Sequence, residues 1–207
     1  AGLHPVVALY STFLNRAFDQ LLMDAGLHHA GVTIVLDRAG ITGTDGASHN
    51  GMWDMAMCGI VPGLMLSAPR DRQHLVSVLN EAVDIDDRPT VIRYSKDPIP
   101  DDIRIVTSHD GLDVLRDGPG DGILLVAHGQ LCAPALAAVD QLDFPVRVVS
   151  PRWSLPVCRG LIEEAAEARA VVSVEDGLVV SGLGSHLADA LSRRGLWRPI
   201  RNLGIPQ

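Results

Sequence analysis

Short apolar runs alternate with stretches whose apolar residues recur every three or four positions, and this alternation organises the chain. "PVVALY" (5–10) reads as a buried strand. In "NRAFDQLLMDAGLHH", Ala17, Leu21, Leu22 and Ala25 fall at helical spacing, and the pattern stops near Gly26. "VTIVLD" reads as a second strand, "MWDMAMCGI" as a short helix and "GLMLSAP" as a third strand. "DRQHLVSVLNEAVD" is an amphipathic helix with Asp71 placed to cap it, because a carboxylate there can accept from the free amides of the first turn. "PTVIRYS" is a fourth strand. From Lys96 to about Gly122 the pattern fades into proline, glycine and aspartate, which reads as a linker with one edge strand over 103–107. The alternation then resumes: strand "ILLVAHG", helix over 130–140, strand "VRVVS", helix over 157–168, strand "AVVSVED", helix over 185–195 and a last strand "PIRNLG". Strands separated by helices predict parallel sheets covered by helices. The expected fold class is therefore α/β, with two parallel-sheet units over 1–103 and 121–207 joined by a linker over 104–120.

Ligands of open parallel sheets gather beyond the carboxyl ends of the strands. Three polar segments follow strand ends in the first unit: "YSTF", "DRAGITGTDGASHNG" (37–51) and "YSKDP". They are expected to meet on one rim.

Composition narrows the function classes. Of 207 residues, 47% are hydrophobic and 20% charged, as in a globular protein, and no uninterrupted apolar run suggests a membrane span. The chain opens "AGLHPVV", without a methionine or a visible secretory signal, so either end is open to being a cut. Cys58, Cys132 and Cys158 lack metal-ligand spacing and read as small hydrophobes in a reducing compartment, which makes the expected location cytoplasmic. Seventeen basic residues against 25 acidic ones give a net charge of −8, which argues against a nucleic-acid partner but leaves room for a small anionic substrate bound by a few local cations.

The loop over 37–51 carries the most chemistry. Gly40, Gly43, Gly46 and Gly51 permit close approach of backbone to a ligand. Arg38 is a fixed cation suited to phosphate or carboxylate. Asp45 and His49 flank Gly46 and could hydrogen-bond a hydroxylated substrate, with histidine also able to move a proton. The same residues would also suit a self-satisfied turn closed by an Arg–Asp ion pair. In "YSTFLNRAFDQ", Ser11 or Thr12 could cap a helix, Phe13 could be core and Arg16 a solvated face. Arg93, Tyr94 and Lys96 place charge past the fourth strand, where a lone lysine is often simply surface. His28, His29, His109 and His128 are isolated. No nucleophile elbow or phosphate-binding P-loop is present, and "GLGSH" reads as a glycine-rich turn opening the last helix.

Taken together, these residues resemble one family, the 1-deoxy-D-xylulose-5-phosphate synthases, thiamine-diphosphate enzymes of the transketolase type. The resemblance rests on "YSTFLNRAFDQ", "DRAGITGTDGASHNGMWD", "SAPRD", "VIRYSK" and "SVEDGLVVSGLGS" and runs in order along the whole chain. Members are much longer, and the matching portion is most of a pyrimidine-binding domain plus most of a C-terminal domain. The resemblance implies that Phe13 stacks on the cofactor's aminopyrimidine with Arg16 close to that pocket. It also implies that Tyr10, Arg38, Asp45 and His49 line the substrate channel, with Arg38 near the phosphate of glyceraldehyde 3-phosphate and His49 and Asp45 acting on the reacting groups. Mg²⁺ and the diphosphate would be held by an N-terminal domain that this sequence does not include, and no metal ligand is expected here. The implied reaction joins pyruvate to glyceraldehyde 3-phosphate in a homodimer, and the 207-residue chain alone is expected to be inactive. One departure stands out: the family's "RYPRG" is "RYSKD" here, so Lys96 replaces a phosphate-binding arginine, keeping the charge and losing the bidentate fork. Two other readings stay open: another split thiamine-diphosphate enzyme, of the transketolase or 2-oxo-acid dehydrogenase β-subunit type, or a catalytically dead fragment serving as a binding module.

Overall fold

A computed structural model describes residues 2–206. The first sheet is fully parallel, in the order β1 (Val6–Tyr10), β2 (Val32–Asp37), β4 (Pro89–Arg93), β3 (Met65–Ser67). Each connection crosses over through a helix. After β1 comes α1 (Leu14–Asp19), which widens into π-type turns over Gln20–Gly26. α2 (Asp54–Cys58) precedes β3, and α3 (Arg72–Val83) precedes β4. Asp71 caps α3 as expected: its Oδ1 accepts from the His74 amide at 2.8 Å. One expectation fails. β1 is not buried: among the described residues it is an edge strand paired only with β2, and Val6 and Val7 remain 52% and 39% exposed. An apolar run does not by itself say what covers it.

The second sheet runs β10 (Ile200–Ile205), β9 (Ala170–Leu178), β7 (Ile123–Ala127), β8 (Val146–Pro151), β6 (Leu112–Arg116), β5 (Thr107–His109). Its first four strands are parallel, with α4 (Cys132–Val139), α5 (Arg159–Glu167) and α6 (Leu183–Ser192) in the crossovers. β5 and β6 are antiparallel, so this sheet is mixed rather than parallel. That hairpin occupies the segment expected to be a linker with one edge strand over 103–107: β5 meets that expectation only at Thr107, and turn-forming residues on either side hid β6. The "GLGSH" turn does open the last helix: the buried Glu175 carboxylate accepts from the Leu183 and Gly184 amides at 2.8 and 3.2 Å.

The two sheets share an interior. Leu14, Leu36, Met55 and Leu66 of the first unit belong to the same apolar cluster as Val126, Leu155, Leu161 and Leu187 of the second. Backbone bonds stitch the free side of β3 to the second unit: the Leu66 amide donates to Leu155 O (2.9 Å), and the Ser154 amide donates to Leu66 O (2.7 Å). A buried ion pair, Arg70 Nη1 to Asp113 Oδ2 at 2.8 Å, joins the start of α3 to β6.

Candidate active site

The three polar segments do meet. β1 ends at Tyr10 and turns through Ser11–Phe13 into α1; β2 ends at Asp37 and opens the glycine-rich loop; β4 ends at Arg93 and leads to Lys96. Because β1, β2 and β4 are adjacent and parallel, their carboxyl ends share one side. Asp45 is the meeting point. Its Oδ2 accepts from Tyr10 Oη at 3.2 Å and its Oδ1 from Lys96 Nζ at 2.8 Å. The Lys96 bond, reinforced by Tyr10, holds the Asp45 carboxyl below its usual range.

The aromatic rings pack beside this pair. Tyr10 lies 5.6 Å from Phe13 and 5.7 Å from His49, and Phe13 and His49 are 6.2 Å apart, all tilted or edge-on. Arg38 places its guanidinium 4.5 Å over the Tyr10 ring, and Arg16 lies 5.4 Å over Phe13. His49 Nδ1 is 2.9 Å from Ser48 Oγ. Every candidate named from the sequence, Tyr10, Phe13, Arg16, Arg38, Asp45, His49 and Lys96, therefore belongs to one continuous cluster. The loop is not closed by an Arg38–Asp45 pair; Arg38's nearest carboxylate is Asp37 at 3.9 Å. Arg38 has φ of +60°, an uncommon conformation for a non-glycine residue and one typical of functional loops.

The base of the loop is fixed from both sides. Gly40 and Gly51 exchange two backbone bonds, 3.1 and 2.8 Å. Ser11 Oγ donates to Gly51 O at 3.2 Å, and a Cβ on Gly51 would fall 2.4 Å from that hydroxyl. Thr12 Oγ1 donates to Ser48 O at 3.0 Å. The sequence reading missed the buried charges behind this base. Arg93, read as a charge past a strand end, is 1% exposed; it donates from Nε to Asp54 Oδ2 at 2.6 Å and from Nη1 to Asp176 Oδ1 at 2.5 Å. The available signals were an arginine closing an apolar strand and the acidic pair in "SVEDG". Among the described residues, no group of three or more His, Cys, Asp or Glu is placed to hold a metal ion.

Comparison with known proteins gives this arrangement a lineage. The family model for the transketolase pyrimidine-binding domain matches residues 1–101, and that for the transketolase C-terminal domain matches 112–207. The chain belongs to the transketolase family. This transketolase-family chain is 96% identical over its full length to the 1-deoxy-D-xylulose-5-phosphate synthase of Cutibacterium acnes (strain DSM 16379 / KPA171202). It is 51% identical to the synthase of that name from Mycobacterium sp. (strain KMS). It spans about a third (33%) of the length of each. Among solved structures, one described as a split gene transketolase, inactive beta4 tetramer, matches at TM-score 0.84 and 27% identity, covering 98% of this chain and 67% of that one. A transketolase from Campylobacter jejuni matches at TM-score 0.75 and 18% identity, over 98% of this chain and 31% of that one, which speaks to the fold alone. The transketolase-like domains imply dependence on thiamine diphosphate. No helix among the described residues is long and apolar enough to cross a membrane.

Proposed function

We propose that this chain is part of a thiamine-diphosphate-dependent synthase that condenses pyruvate with D-glyceraldehyde 3-phosphate, releasing CO₂ and forming 1-deoxy-D-xylulose 5-phosphate. The observation that carries the reading is the gathering of Arg38, Asp45, His49 and Lys96 around Tyr10 and Phe13, in a chain 96% identical to a protein of that name. Thiamine diphosphate, when bound, supplies a nucleophilic carbon and an electron sink for decarboxylation. Phe13 suits it: the residue is 40% exposed at the edge of the cluster, which leaves a ring face open to stack on a planar heterocycle, and Arg16 lies 5.4 Å over the ring. Lys96 and Arg38 form the cationic side that receives a phosphorylated aldehyde. Asp45, kept ionised by Lys96, accepts from substrate hydroxyls, and His49 takes or gives a proton at the carbonyl oxygen that becomes a hydroxyl. In this reading the diphosphate and Mg²⁺ are held by the part of the enzyme outside the matched third. The enzyme works as a cytoplasmic homodimer: Phe18 of α1 and Met57 of α2, both half-buried, line one apolar surface with the exposed Trp53 and Ile60 that flank α2, and the cysteines are unpaired.

The split gene transketolase match favours a second reading, in which the chain is one subunit of a two-chain thiamine-diphosphate enzyme. The test joins this chain to the portions of the Cutibacterium acnes synthase outside the match and identifies the product from pyruvate and glyceraldehyde 3-phosphate. Deoxyxylulose phosphate is expected, with kcat/KM reduced at least about a hundredfold by Arg38→Ala or His49→Ala. Absence of that product, with ketol transfer to glyceraldehyde 3-phosphate once a ketose phosphate donor replaces pyruvate, would support the second reading, and unchanged kcat/KM in both variants would remove the site assignment.

A further inference from the structure

We infer that Asp176, on the second unit, is a positioning residue for the substrate loop of the first unit, acting through Arg93 and against Gly40. The inference deepens the proposed function and rests on that reading for its kinetic consequence. Asp176 lies on β9, in the other sheet from the loop. One carboxylate oxygen accepts from Arg93 Nη1, and Gln130 Nε2 donates to the other at 3.0 Å. Arg93 passes the connection to Asp54, and the single Ser11 hydroxyl proton is shared between Asp54 Oδ2 and Gly51 O, each 3.2 Å away. On the other side, Gly40 packs directly on Asp176: a Cβ there would fall 2.8 Å from Oδ2, and Gly40 has φ of +78°. The strand carrying Asp176 also donates its Leu178 amide to Met52 O at 3.2 Å, just past the loop. Both ends of the loop carrying Arg38, Asp45 and His49 are thus gripped by one buried chain of charges, and its far anchor belongs to the second unit.

Stability alone is a weak account of this chain. Asp54, Arg93 and Asp176 have side chains 0%, 1% and 10% exposed, and buried ion pairs return about what their desolvation costs. What such a network does supply is fixed geometry, and the loop base is what it touches. Arg70–Asp113 joins the same two units without touching the loop, so it separates positioning from simple adhesion of the units.

The experiment uses the full-length chimera described above and follows hydrogen exchange by mass spectrometry over 38–51. Asp176→Asn is expected to speed exchange of the Gly40 and Gly51 amides by about tenfold, Gln130→Ala to do so by less, and Asp113→Asn to leave it unchanged. In steady-state kinetics, Asp176→Asn is expected to raise KM for glyceraldehyde 3-phosphate more than Asp113→Asn does at matched loss of Tm. Unchanged exchange in Asp176→Asn, or equal acceleration in Asp113→Asn, overturns the inference. If Asp176→Asn does not fold, the contrast between Gln130→Ala and Asp113→Asn decides it in the same way. A chimera that makes no deoxyxylulose phosphate overturns the proposed function, while the exchange result still judges the positioning role.

Discussion

At the scale of single residues, Asp45 sets the electrostatics of the site. It sits between a phenol and an ammonium, so its charge is kept and both donors are oriented. Lys96 is the more instructive partner, because it is a single-point donor engaged with Asp45 rather than a fork free for phosphate. In the chimera, Lys96→Ala is expected to raise KM for the phosphorylated aldehyde about tenfold with kcat within about twofold, and Lys96→Arg to restore or lower KM. Steady-state kinetics with varied aldehyde would read this, and a KM indifferent to both changes removes Lys96 from the acceptor side. Phe13 makes a separable prediction. Phe13→Ala is expected to weaken thiamine diphosphate binding by about tenfold, equivalent to ~1.4 kcal/mol, measured by calorimetric titration. An unaltered Kd would show that the ring does not stack on the cofactor.

At the scale of elements, adjacency of parallel strands turns three separate loops into one cluster. β1, β2 and β4 are neighbours, so Tyr10, Arg38 and Lys96 emerge together although they are far apart in sequence. α3 shows how a local rule serves a distant contact. Asp71 caps the helix with Oδ1 while its Oδ2 accepts from the Ile103 amide at 3.2 Å, holding the start of the connection to the second sheet. Asp71→Ala loses both bonds, leaves a buried backbone donor unpaired and removes the buried contact to Arg70 Nε at 3.2 Å, so a loss of at least about 2 kcal/mol is expected, above the ~1 kcal/mol of a cap alone. Urea denaturation checks the size of the effect; a loss well under ~1 kcal/mol would mean the second bond contributes nothing.

At the scale of the whole molecule, the two units behave as one packed body because their apolar clusters merge and their charges interlock. Two histidines lie in that interface. Burial pushes His74 down to about 4, with the nearby Arg70 charge adding to the effect, and pushes His128 down to about 3, with Arg93 adding to it. Both stay neutral in the folded state where the unfolded chain, titrating near 6.5, takes up protons. Their folded values are depressed, so the stability they support is complete above about pH 6.5 and is lost progressively as pH falls towards about 4. Thermal melting of the chain is expected to show Tm falling between about pH 7 and about pH 5, with a shallower fall in His128→Gln, whose amide can keep a bond to Ser154. An equally steep fall in the variant would place the acid sensitivity elsewhere.

The alternation of apolar runs and helical periods was enough to predict nearly every helix and strand, because those patterns are local: a parallel strand buried on both faces reads as a run, and a helix with one buried face reads as a period of three or four. That the candidate residues would cluster was legible for a related reason, since polar, glycine-rich segments after neighbouring parallel strands mark themselves in the sequence and emerge on one side of the sheet. The hairpin over Thr107–His109 and Leu112–Arg116 was legible only as a single misplaced edge strand over 103–107, because short strands among turn residues carry too few positions to show a period. The exposure of β1 was hidden too, since burial depends on what packs against a strand and not on the strand itself. Only the tertiary structure brought Arg93 between Asp54 and Asp176. A buried charge is tolerated only where partners from distant parts of the chain arrive together, and no local pattern records which partners those are.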